Sequence, residues 1–149
     1  MEIKDNLRKY YTIEAARRNA GVKSEWKLER RQAFADLAAA ENKKSLLEIG
    51  AGTGQDSVYF LERGFAVIAI DLTPEMVRLC REKGVDAFVM DFYDLSPLGK
   101  TFDCVWAMNT LLHVPKADLP GVLASIDAAL NPGGLFSWAC TAGKIPSMK

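Results

Sequence analysis

Leu46-Leu47-Glu48-Ile49-Gly50-Ala51-Gly52-Thr53-Gly54-Gln55-Asp56 decides how this chain is read. An apolar run carrying one carboxylate breaks into three glycines at alternate positions, the pattern of a strand turning sharply into a helix. Glycine lacks a Cβ, so the backbone takes positive φ and approaches a ligand closely at the carboxyl end of the strand. A dinucleotide-binding turn spaces its glycines as G-x-G-x-x-G, and here Gln55 stands where the third should be. Glu48 argues the same way, because a carboxylate directed into the loop repels a pyrophosphate and suits a cationic ligand.

The next apolar run, Ala66 to Ile70, ends on Asp71. That residue lies about 20 positions beyond the first glycine, where a carboxylate at the tip of a second strand accepts both hydroxyls of a ribose. The competing reading makes Asp71 a helix-entry residue, but Thr73 already supplies the cap of the following helix and Pro74 its first position. A third run, Ala87 to Met90, delivers Asp91 and Phe92. A fourth, Phe102 to Ala107, is followed by Met108, Asn109 and, after Leu112, His113. Leu130-Asn131-Pro132-Gly133-Gly134 then reads as a helix stop and tight turn feeding a fifth strand, Leu135 to Ala139.

Between these runs lie helical patterns. Val58, Phe60 and Leu61 stop at Gly64; Met76, Val77, Leu79 and Cys80 close at Gly84; Asp118 caps a helix from Leu119 to Leu130, with Leu119, Val122, Leu123, Ile126 and Leu130 on one face. Tyr93 to Lys100, holding Pro97 and Gly99, reads as a short connection or a single helical turn. Strands alternating with amphipathic helices predict βαβ units and a parallel sheet.

The glycine loop resembles motif I of the class I S-adenosylmethionine-dependent methyltransferases, E/D-x-G-x-G-x-G, and the L-x-P-G-G turn at Leu130 is a second hallmark of that family. The resemblance covers about residues 45 to 140 and implies a Rossmann-like three-layer α/β/α fold with a mainly parallel sheet of order 3-2-1-4-5. It implies S-adenosyl-L-methionine as cofactor and a small-molecule methyl acceptor. Glu48, Gly50, Ala51, Gly52 and Gly54 would form the binding loop, with Asp71 and Leu72 at the ribose. Asp91 would accept from the adenine amino group, the backbone N–H of Phe92 would meet a ring nitrogen, and Asn109 would sit beside the methionine moiety. Family members continue with a helix and a hairpin of strands seven and six, whereas only Thr141 to Lys149 follow here. The expected sheet therefore lacks the 7-6 hairpin, and a catalytically silent cofactor-binding or interaction module stands beside the enzyme as an alternative. An NAD-binding oxidoreductase fragment is disfavoured by Gln55 and Glu48.

Ser24 to Ala40 reads as a helix capped by Ser24, with Trp26, Ala33, Phe34 and Leu37 on one face, and Gly21 separates it from an earlier helix-like stretch holding Tyr10 and Tyr11. Residues 1–44 are then a helical cap on the domain formed by 45–149. Tyr11 either helps cover the reacting sulfonium, as tyrosines near the start do in similar proteins, or docks the helix with Tyr10 and Trp26. His113 is the one histidine, either a general base near neutral pH or a partner of a backbone carbonyl.

At 149 residues with 49% apolar content, the chain is one domain. Its 19 basic and 19 acidic residues balance, the first 44 positions being mildly basic and the rest mildly acidic. That asymmetry lacks the density of a nucleic-acid-binding surface. Cys80, Cys104 and Cys140 sit in apolar runs and suit buried, reduced thiols. No His/Cys/carboxylate cluster has metal-ligand spacing, and Asp94 beside Asp91 does not make one. Without an apolar leader or a bilayer-length run, the sequence reads as a cytoplasmic protein. The apolar fifth strand, exposed as a sheet edge, leads to the expectation of a homodimer.

Overall fold

The computed structural model describes residues 25–108 and 114–139. Along them run helix α1 (Glu25–Ala40), strand β1 (Ser45–Ile49), α2 (Gln55–Glu62), β2 (Ala66–Asp71), α3 (Pro74–Glu82), β3 (Asp86–Val89), a 3-10 turn (Ser96–Leu98), β4 (Phe102–Met108), α4 (Leu119–Ala129) and β5 (Leu130–Ala139). All four strand pairings are parallel, in the order β3-β2-β1-β4-β5. This is the parallel sheet that the alternation of strands and helices predicts, in the Rossmann-like order that the methyltransferase resemblance implies. Tyr10, Tyr11, Ser24, Asn109, His113 and Cys140 lie outside the described residues.

Successive strand residues point to opposite faces, so each central strand feeds two cores. Leu47, Ile49, Ile70, Val105, Ala107 and Phe136 face one side, against Val122, Ile126 and Ala129 of α4. Leu46, Val67, Cys104, Trp106 and Leu135 face the other, against Phe60 of α2 and Phe34, Ala35 and Ala38 of α1. Helix α3 covers the β2–β3 flank through Val77 and Cys80. α1 is thus a layer of the sandwich, and its buried stripe differs from expectation: Ala33 is exposed while Ala35 and Ala38 are fully buried. The bulky Phe34 sets the rotation of the helix, and a methyl group at Ala33 exerts too little pull to alter it.

Two further boundaries differ from the sequence reading. β3 ends at Val89, so Asp91 stands past its strand. α4 ends at Ala129, and Leu130 is already extended and paired with Phe102. The register then shifts before Cys104 meets Leu135, so Asn131 to Gly134 form a bulge within β5 instead of a turn preceding it. Pro132 contributes by disfavouring helical backbone at Asn131.

This bulge is stitched to the amino end of the sheet. Asp103 Oδ2 accepts the backbone N–H groups of Lys44 at 2.7 Å and Ser45 at 3.3 Å, and Ser45 Oγ accepts the Asp103 N–H at 2.9 Å. Asn131 Nδ2 donates to Asp103 Oδ1 at 2.9 Å, Thr101 donates its hydroxyl to Asn131 Oδ1, and Lys43 Nζ donates to the Gly133 carbonyl at 2.9 Å. The Lys44 amide foremost, then Asn131, hold the Asp103 carboxyl below its ordinary pKa. Gly134 is required by space: a Cβ there would stand 2.9 Å from Asn131 O and 3.0 Å from Asp103 O.

Candidate functional site

At the opposite end, β1 and β4 are neighbours whose following helices diverge to the two faces, the switch point where open α/β sheets bind ligands. The loop after β1 is pinned there by the N–H groups of Gly50 and Ala51, both donated to the Ile70 carbonyl at 2.9 and 3.0 Å. The three glycines all have positive φ, but for different ends. At Gly52 a Cβ would meet nothing within 4 Å, so that face of the loop opens onto space. At Gly54 it would press on Cys80 Sγ at 3.1 Å, so this glycine admits helix α3 beneath the loop.

Asp71 lies where the spacing puts it and is 3% exposed. Its Oδ2 accepts the Gly52 N–H at 2.9 Å and its Oδ1 the Thr73 N–H at 3.0 Å, which fixes the carboxylate against the glycine loop. Leu72 is buried beside it. Thr73 occupies the N-cap position of α3 with Pro74 next, as read, yet its side chain makes no capping bond. Glu48 is 2% exposed and accepts the Ser57 hydroxyl on Oε1 at 2.5 Å. Its carboxylate lies against Ser57 in the first turn of α2. The Cys80 thiol donates to the Gly52 carbonyl at 3.2 Å; burial first, then the charges of Glu48 and Asp71, push its pKa up to about 12. Lys83 closes the far side of the loop by donating to the Thr53 carbonyl at 2.7 Å.

Beyond β3, Asp91 Oδ1 accepts the Tyr93 N–H at 2.6 Å, and Phe92 is buried and stacked on the Tyr93 ring. Tyr93 donates its hydroxyl to Asp118 Oδ2 at 2.9 Å, and its phenol is pushed up to about 12 by burial and then by that carboxylate. Asp118 therefore does not cap α4 with its side chain as expected; it sits at the N-cap with near-helical backbone and turns its carboxylate to Tyr93. Asp94 closes a local turn onto the Ser96 N–H. Among the described residues no group of histidine, cysteine and carboxylate side chains is arranged to hold a metal, and no helix is long and apolar enough to cross a membrane.

Sequence reasoning assigned no role to Asp56, although an acid in a helix's first turn is a readable signal. It is 3% exposed; Oδ2 accepts the Trp106 indole N–H at 2.9 Å and Oδ1 pairs with Arg31 at 3.2 Å. This triad ties α1, α2 and β4 together behind the loop. Ser57 and Cys80 were equally invisible as loop supports, because their partners are set by packing between elements.

Residues 46–134 match the family described as methyltransferase domain, and the chain belongs to that family. It is 30% identical over 104 residues to an uncharacterized methyltransferase of Alkaliphilus oremlandii (strain OhILAs), a match covering 69% of this chain and 48% of the relative. It is 33% identical over 106 residues to a ubiquinone biosynthesis O-methyltransferase of Xanthomonas oryzae pv. oryzae (strain PXO99A), covering 66% and 42% respectively. The chain thus spans about half the length, or less, of these curated relatives. Among solved structures, the DhpI-SAM-HEP complex superposes with a TM-score of 0.74 at 25% identity, over 91% of this chain and 64% of that one. The magnesium protoporphyrin IX methyltransferase ChlM from Synechocystis PCC 6803 with bound SAH gives 0.75 at 16% identity, over 91% and 71%, a likeness of fold.

Proposed function

We propose that this methyltransferase-domain chain holds S-adenosylmethionine on the β1–α2 loop and methylates a small-molecule acceptor. The observation that carries the reading is Gly52: open on one face, its carbonyl bound by Cys80, and its N–H fixed to the buried Asp71. A side chain there would fill the space that a nucleoside needs. When bound, S-adenosylmethionine supplies a methyl group on a sulfonium, activated for in-line displacement.

The chain's own residues bind and orient. Asp71, at the tip of β2 beside the glycine loop, accepts the ribose hydroxyls. Asp91 accepts from the adenine amino group, the Phe92 N–H meets a ring nitrogen, and Leu72 flanks the nucleoside. Gly50, Ala51 and Gly54 let the backbone pass close by. Glu48, buried beneath, contributes a negative field that favours a cationic ligand over a pyrophosphate. Asn109 would stand beside the methionine moiety, while Tyr11 and His113 are the candidates for acceptor chemistry; all three lie outside the described residues. The acceptor's nucleophilic atom must be held in line with the methyl group, and positioning of this kind accounts for most of what such a protein contributes. In this reading residues 1–44 cap the core formed by 45–149, and the apolar edge of β5 pairs two copies.

Isothermal titration with S-adenosylhomocysteine and, separately, NAD tests the cofactor. Binding of the first and not the second is expected, and the reverse would sink the reading. The alternative is a cofactor-binding module without turnover. Methyl transfer to any member of an acceptor panel decides against that module.

A further inference from the structure

Helix α1 runs against the direction of the strands, since Ala40 leads into β1 at the amino end of the sheet. Its first half therefore lies toward the carboxyl end, where Arg31 meets Asp56 and Arg30 reaches β5. The other described arginines each have a carboxylate or carbonyl partner, although the Arg31 Nε is itself buried without one. Arg31 pairs with Asp56 and lies over the Tyr59 ring, Arg63 pairs with Asp36, Arg78 is held by Glu75 and Glu82, and Arg81 donates to the Ala87 carbonyl at 2.9 Å. Arg30 differs. Among the described residues its hydrogen bond is a stretched 3.4 Å donation from Nη2 to the Trp138 carbonyl, no carboxylate pairs with it, and its Nε, like that of Arg31, is buried without a partner.

Burial lowers the Arg30 pKa from its ordinary value, and no carboxylate among the described residues offsets that effect. A partly buried guanidinium is favoured by an anion that neutralises it, and its planar fork suits a carboxylate or a phosphoryl group. Its place matters as much as its charge. Trp138 pairs with Ala107, so Arg30 stands over β4 and β5, on the other side of the switch point from Asp71 and Asp91. Glu48 and Asp71 make the β1–β2 side negative, which would turn an anionic group away from the nucleoside side and toward Arg30.

Building on the methyl-transfer reading, we propose that Arg30 anchors the acceptor, and that the acceptor carries an acidic group, carboxylate or phosphoryl, which the guanidinium holds while a separate nucleophilic atom receives the methyl. The contact with Trp138 is then a resting contact that the acid displaces.

The test is equilibrium titration of the S-adenosylhomocysteine-loaded chain with benzoate, ethylphosphonate and the neutral benzamide. At least one acid should bind tenfold or more tightly than benzamide, and which acid does so identifies the group. Arg30→Met, which keeps the stem and loses the charge, should erase that preference, while Arg30→Lys should retain part of it. Equal binding of acids and amide by the parent overturns the proposal, whether or not the variants fold. So does an undiminished preference in Arg30→Met. S-adenosylhomocysteine affinity, measured first on each protein, separates the two readings: its absence in the parent refutes the methyl-transfer reading and this anchor with it, whereas normal affinity without acid preference refutes only the anchor.

Discussion

The two ends of the sheet use one device to opposite effect. At each, an aspartate collects two backbone N–H groups beside a glycine-rich turn: Asp71 takes those of Gly52 and Thr73, Asp103 those of Lys44 and Ser45. Around Gly134 the amino end leaves no room, since three atoms lie within 3.0 Å of where a Cβ would be. Around Gly52 the carboxyl end leaves all of it. What separates Gly52 from Gly134 is the space beside the backbone, not the charge or glycine content of the turn. A second contrast is burial, because Asp71 is sealed in the protein while Asp103 is partly open to water.

The comparison breaks first at Asp56, an acid of the carboxyl end assigned here to structure. Asp56→Ala leaves the Trp106 indole and Arg31 without their shared partner, and removing one member of a buried pair should cost about 3 kcal/mol. Urea denaturation followed by circular dichroism measures it; an unchanged midpoint would show that the triad supports nothing.

One methyl group placed at each end is the direct test. Gly134→Ala should destabilise by roughly 1–3 kcal/mol through overpacking, with the S-adenosylhomocysteine affinity of the folded fraction unchanged. Gly52→Ala, set at a φ of +58°, should cost about 1–2 kcal/mol of stability and, in addition, weaken S-adenosylhomocysteine binding to the folded fraction at least tenfold. Should the two variants lose affinity alike, space would not be what separates the ends.

Asp71→Ala is expected to weaken S-adenosylhomocysteine binding by about 1.5–3 kcal/mol, the loss of a charge-assisted bidentate contact. Titration within twofold of the parent would remove Asp71 from the ribose.

The smallest effect belongs to Asp103 and to acid. Its pKa is lowered in the folded state, so its stabilisation is present above the ordinary value of 3.8 and is lost as pH falls through the folded value. Asp103→Asn should flatten the stability curve below about pH 4 without changing its shape near neutrality. Asp94 and Glu75, also lowered, leave a residual slope in that variant. A curve superimposable on the parent's, once scaled for overall stability, would deny Asp103 its stitching role.

How far the sequence disclosed these ends depends on the range of the physics involved. The parallel βαβ units, the loop glycines, Pro74 at the start of α3 and the stops at Gly64 and Gly84 were legible, because periodicity and backbone sterics are local, while the strand order came from the family resemblance. The cap assigned to the Asp118 side chain failed because the Tyr93 hydroxyl, 25 residues away in sequence, competes for its carboxylate. The reading of Ala33 failed because the stripe of a helix is chosen by what it packs on, and Phe34 had Phe60 and Trp106 waiting. The burial of Glu48 under Ser57, and Gly54 making room for Cys80, are likewise contacts between elements that no single segment announces. Tyr11 and His113, the candidates for acceptor chemistry, and Asn109, expected beside the methionine moiety, fall outside the described residues.

The order of pairing in the sheet has a consequence for how the chain emerges from the ribosome. Ser45 finds Ala66 across a single crossover, but Leu46 does not meet Cys104 until the β2 and β3 units have been made. Domains generally fold as units. The flank of β1 with Leu46, Leu47 and Glu48 therefore stays unpaired until β4 has been made. In that interval the chain exposes a growing strand edge, the kind of surface that holdase chaperones and misplaced neighbours recognise. Translation slowed between Met90 and Phe102 would prolong the interval, and accelerated passage through it would shorten the time in which β1 pairs with the wrong strand.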